Sequence, residues 1–99
     1  MAFKVNWTKR ALTDLAEIAA YIGAQRSSAA EREGGEILRK VDLLEQFPML
    51  GPVFRRTAEA EYRELLSGKF RIFYYIRPDV PIVDIVTIRH GARDEPIAF

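Results

Sequence analysis

The residue best suited to chemistry in this sequence is arginine. Seven of the eleven arginines lie beyond residue 51, with one lysine among them, and guanidinium groups are favoured where planar, bidentate or stacking contacts are made. Arg63, Arg71, Arg89, His90 and Arg93 fall in or beside segments of strand character. There, neighbouring guanidiniums can grip phosphate oxygens while aromatics such as Phe73 and Tyr75 stack on bases. Structural pairing uses the same residues. A two-residue turn at Ser67-Gly68 sets Glu64 opposite Arg71 as a cross-strand ion pair, whereas a bulge brings Arg63 beside Arg71 instead. The net charge is +1, and seven acidic residues share the stretch after residue 51, so any anion binding must rest on local clustering.

His90 is the only histidine. It can serve as a general base or as a hydrogen-bonded residue at a strand end. With no cysteine and no second histidine, no transition-metal set, disulfide or cofactor is expected. The sequence has no G-x-S-x-G, no phosphate-binding glycine loop and no H-E-x-x-H, which argues against small-molecule enzymology. Asp14 and Glu17 fall on the polar side of a helix and are expected to be solvated.

These side chains need a scaffold. Phe3, Val5 and Trp7 alternate with polar residues, as in a short half-buried strand. Thr8 then caps a helix in which Ala11, Leu12, Leu15, Ile18, Ala19 and Ile22 form an apolar stripe ending near Gly23. Ser27 or Ser28 caps a second helix lined by Ile37, Leu38, Val41 and Leu44 and stopped by Pro48. The small residues Ala29, Ala30 and Gly34 let the two helices pack closely as a hairpin. Residues 47–60 read as a loop carrying Arg55 and Arg56. Three antiparallel strands follow at 62–66, 69–77 and 82–90, with Phe70, Ile72, Tyr74 and Ile76 directed to the helices and Arg71, Phe73, Tyr75 and Arg77 away from them. The expected fold class is α+β, in the order β-α-α-β-β-β. The helical hairpin covers one face of a small, mainly antiparallel four-stranded sheet, and the other face is partly open.

With 99 residues, 48% of them hydrophobic and 29% charged, the sequence suits one domain spanning 1–99 with a single core. Neither a secretory leader nor a membrane span is visible, so a cytoplasmic location is expected.

Five stretches together resemble the ParE branch of the RelE/ParE toxin superfamily. They are Ala11-Leu12-x-Asp14-Leu15-x-x-Ile18-x-x-Tyr21-Ile22, Pro48-x-x-Gly51, Tyr62-Arg63-Glu64-Leu65, Gly68-x-Phe70-Arg71-Ile72-Phe73-Tyr74 and His90-Gly91-Ala92-Arg93-Asp94. The resemblance implies the toxin of a bacterial type II toxin-antitoxin pair, held in a hetero-oligomer by a ParD-like antitoxin. ParE-type members are associated with poisoning DNA gyrase, whereas RelE-type members cleave messenger RNA in the ribosomal A site.

A nuclease needs cations on the phosphate and a group that moves protons. Arg63, Arg71 and Arg93 match basic positions of that kind, with His90 beside them. Where many RelE-type nucleases carry a further basic residue and a C-terminal tyrosine, this sequence has Glu64-Leu65 and Phe99. The expected activity is therefore a gyrase poison, whose target, alone or with its DNA, is engaged by Arg63, Arg71, Arg89, His90, Arg93 and Phe99. The alternative is a ribosome-dependent endoribonuclease using Arg63, Arg71, His90 and Arg93. A flexible antitoxin can lay an amphipathic helix on exposed apolar residues and add a strand to a sheet edge, with Tyr21, Leu43 and Phe54 as the expected contacts.

Overall fold

A computed structural model describes residues 2–91. Its elements are β1 (Lys4–Trp7), α1 (Lys9–Gln25), α2 (Ser28–Leu43), β2 (Val53–Arg56), β3 (Glu61–Ser67), β4 (Phe70–Ile76) and β5 (Ile82–His90). The fold class is α+β as expected, but the sheet has five strands in the order β1-β5-β4-β3-β2. The additional strand is β2, inside the segment read as a loop. It is only four residues long and mostly exposed, it follows Pro52, and a register shift between Val53 and Arg55 interrupts its pairing with β3. An edge strand of this kind carries no period-two signal.

Thr8 caps α1 as predicted, its hydroxyl accepting from the Ala11 N–H at 3.2 Å and donating to the Ile85 carbonyl at 2.6 Å. One side chain thus starts the helix and fastens it to β5. The helix continues to Gln25 and is closed by Arg26 in a left-handed conformation, φ 50°, so the expected stop at Gly23 falls two residues early. Ser27 caps α2 through the Ala30 N–H at 3.1 Å. The hairpin is tight at Gly34, where an added Cβ would lie 2.7 Å from Cδ1 of Ile22.

The core joins Ala11 of α1 and Ile37, Val41 and Leu44 of the second helical segment to Leu65, Phe70, Ile72, Tyr74, Val83, Ile85 and Ile88 of the sheet. Leu12 and Leu38 belong to the solvent-facing surface instead, because each helix buries a narrower stripe than its apolar residues could form. β5 lies between β1, to which it is parallel, and β4, to which it is antiparallel. That central place accounts for its nearly continuous apolar sequence.

Candidate functional site

The β3–β4 register decides which cations meet. Ser67 pairs with Phe70 and Leu66 with Arg71, so the turn is Gly68-Lys69, one residue later than the Ser67-Gly68 turn expected. Gly68 takes a left-handed φ of 57° there, which glycine adopts without steric cost. Cross-strand partners share a face. Arg71 therefore lies with Leu66, Glu64 and Phe73, whereas Arg63, paired with Tyr74, is on the opposite, helix-covered face. The sheet does not bring Arg63 and Arg71 together.

Both Arg63 and Arg71 are engaged. The Glu64 carboxylate accepts from Nε and Nη2 of Arg71, both at 2.6 Å, a diagonal version of the expected ion pair. The Arg71 guanidinium also lies 5.0 Å from the Phe73 ring centroid and 5.6 Å from that of Phe54. Arg55 approaches Phe54 as well, at 5.5 Å, so two guanidiniums lie near the Phe54 ring. Phe73 is fully buried, with Phe54 edge-on at 4.9 Å, and cannot stack on a base as anticipated. Tyr75 and Tyr62 form a second edge-on pair at 5.6 Å on the same face.

Arg63 serves the connection after α2. Its Nη1 donates to the Gly51 carbonyl at 2.8 Å and its Nη2 to Glu61 at 3.0 Å. Beside it, the buried Tyr74 hydroxyl accepts from the Gly51 N–H at 2.8 Å and donates to the Pro48 carbonyl at 2.7 Å. Burial pushes the Tyr74 phenol above its ordinary value. An added Cβ at Gly51 would stand 2.7 Å from the Glu64 carbonyl oxygen, so this residue must be glycine for the loop to lie on β3.

At the far end of the sheet, Arg89 is in register with Arg71 and His90 with Phe70. The His90 ring meets Phe70 edge-on at 5.5 Å. Both Arg89 and His90 border a groove of about 630 Å³ between α1 and the sheet, with Asp14, Glu17 and Tyr21 on its other wall. Asp14 is not simply solvated as expected. Its carboxylate accepts from the Thr87 hydroxyl at 2.5 Å and the Ile88 N–H at 3.1 Å. β1 pairs only with residues 82–85 of β5, and Asp14 supplies an acceptor to the part of β5 beyond. The hydroxyl of Tyr21 lies 3.4 Å from Lys69 Nζ, a contact that raises the lysine pKa.

The expected antitoxin contacts Tyr21, Leu43 and Phe54 are each partly exposed and lie on α1, α2 and β2. Arg93 and Phe99 lie outside the described residues. Among those described, no cluster of three or more acidic or histidine side chains could hold a metal ion, and no helix is long and apolar enough to cross a membrane.

The fold is similar to those of solved toxin-antitoxin proteins. The family model for the ParE toxin of type II toxin-antitoxin systems, parDE, matches residues 5–95. A relative from Caulobacter vibrioides, Toxin RelE2, is 40% identical over 91 residues, covering 91% of this chain and 97% of its own. In fold, the chain resembles the archaeal RelE-RelB complex from Pyrococcus horikoshii OT3, with a TM-score of 0.67 at 16% identity, covering 94% of this chain and 99% of that one. It also resembles the chromosomal ParDE system from P. aeruginosa, with a TM-score of 0.64 at 19% identity, covering 90% and 96%. The chain belongs to the ParE toxin family of type II toxin-antitoxin systems, within the RelE/ParE superfamily.

Proposed function

We propose that this toxin acts by binding, as an inhibitor of DNA gyrase, and that a ParD-like antitoxin neutralises it. The observation that carries this reading is the disposition of Arg63 and Arg71. They lie on opposite faces of the sheet, one tied to the Gly51 carbonyl and Glu61 and the other to Glu64. A phosphodiester-cleaving centre needs cations that converge on one phosphate together with a group that moves protons. Arg71, flanked by Phe54 and Phe73, instead resembles the rigid aromatic and arginine anchors of protein interfaces. Purified toxin is expected to inhibit gyrase supercoiling or to stabilise cleaved DNA, and equimolar antitoxin to reverse the effect. Full supercoiling activity with excess toxin, without trapped cleavage, would refute it.

The second reading, a RelE-like ribosome-dependent endoribonuclease, is favoured by the name of the Caulobacter relative and by the cross-strand placement of Arg89 opposite Arg71, next to His90. It predicts cleavage of ribosome-bound message that is abolished in Arg71→Ala or His90→Ala.

A further inference from the structure

A second groove, of about 410 Å³, lies between α2 and the turn from β3 to β4, with Ala29, Arg32, Glu33, Glu36 and Arg39 on the helix side and Ser67 and Gly68 on the other. Residues 29, 32, 33 and 36 recur at three and four, so they share one face of α2. Ser67 is only 1% exposed. Its pairing with Phe70 puts it on the face of the sheet that carries Leu65 and Phe70, on the side of the helices. Its hydroxyl is the buried side-chain polar group, among the described residues, that has no hydrogen-bond partner. An unpaired buried hydroxyl is unfavourable, and alanine would fill the same place without that cost.

The charges around the groove indicate what that hydroxyl meets. Glu36 is paired with Arg39, whose hydrogen bond holds the Glu36 carboxyl below the ordinary glutamate value. Glu33 lies 3.6 Å from Nζ of Lys69, and Lys40 donates to the Leu66 carbonyl at 2.7 Å. Both carboxylates of the groove therefore have a cation of their own. Arg32, by contrast, is exposed and has no ion pair or side-chain hydrogen bond among the described residues. What is left over is a set of donors, the Arg32 guanidinium and the Ser67 hydroxyl, without an acceptor. Ala29 adds to the same sign, since it lies in the first turn of α2, where the helix dipole favours negative charge.

We propose that this groove binds a phosphate group, free or carried on a small molecule, with the Arg32 guanidinium bidentate on two phosphate oxygens and the Ser67 hydroxyl donating to a third. A serine hydroxyl has three staggered positions, and turning it into the groove supplies the acceptor it lacks. The volume falls within the range of small-molecule sites, about 300–1,000 Å³, and leaves room beside the phosphate for a sugar-sized body. Binding here does not depend on the reading of the toxin as a gyrase inhibitor. A ligand held between α2 and the β3–β4 turn stabilises the folded toxin by mass action.

In the test, isotope-labelled full-length toxin is titrated with inorganic phosphate, adenosine monophosphate, adenosine, and chloride at matched ionic strength, while amide shifts and thermal midpoints are followed. Phosphate and the monophosphate are expected to give saturable shifts at Ala29, Arg32, Ser67 and Gly68 and to raise the midpoint, whereas adenosine and chloride do neither. Tighter binding of the monophosphate supports the site as one for a phosphorylated metabolite, and equal affinity supports it as one for free phosphate. Arg32→Gln and Ser67→Ala are each expected to lose at least tenfold in affinity. Ser67→Ala should keep or raise the ligand-free midpoint, which separates lost binding from lost fold. Affinity within threefold of wild type in both variants, shifts that chloride reproduces, or no saturable response to either phosphate probe would overturn the proposal.

Discussion

Tyr74 illustrates how one polar atom organises this protein. Its ring is part of the core, while its hydroxyl joins the Gly51 N–H to the Pro48 carbonyl. Tyr74→Phe keeps the packing and leaves both backbone groups without that partner, so a loss of about 1–3 kcal/mol is expected from urea unfolding. Asp84 provides a pH-dependent counterpart. It is almost wholly buried and accepts from Arg77 at 2.8 and 3.0 Å and from Asn6 at 2.7 Å. The bond from Arg77 holds its carboxyl below the ordinary aspartate value. Because the pKa is lower in the folded state, the unfolded chain takes up the proton first. The stabilisation is therefore present above the unfolded pKa of about 4 and is lost as pH falls through the folded value. Urea midpoints measured downward from pH 6 should fall below about pH 4, and Asp84→Asn should make that acid limb shallower.

At the scale of elements, the hairpin gives a paired test. Gly35 is inside α2 with open space where a Cβ would stand, whereas Gly34 faces Ile22. Gly35→Ala should stabilise the protein by about 0.5–1 kcal/mol through helix propensity. In Gly34→Ala the same gain is opposed by the 2.7 Å approach to Cδ1 of Ile22, so its thermal midpoint should fall below that of Gly35→Ala. The two helices, the Thr8 cap, the choice of Ser27 or Ser28 for the second cap and the three-strand meander are legible in the sequence, because hydrophobic period and capping chemistry are local. β2 is not, since a short exposed edge strand after Pro52 has neither period. Nor is the one-residue offset in the turn, which places Leu66 rather than Glu64 opposite Arg71. Asp14, expected to be solvated, differs for another reason. Its partners Thr87 and Ile88 are more than seventy positions away, and no local pattern signals that β1 stops short along β5.

At the scale of the whole molecule, sequence resemblance led to the toxin family and the fold agrees with it, whereas the division of labour among the arginines required the register. Arg63 supports a loop, Arg71 belongs to an aromatic and acidic cluster on the open face, and Arg89 and His90 border the α1 groove. Arg63→Ala should therefore act first on stability, lowering the unfolding midpoint. We infer that this toxin binds its target rather than cutting RNA. The most direct test induces the toxin without antitoxin and maps, in the same culture, messenger RNA ends and gyrase-linked breaks in DNA. Growth arrest with intact transcripts and trapped DNA breaks is the expected result. Transcripts cut at ribosomal A sites, with DNA left unbroken, would contradict it.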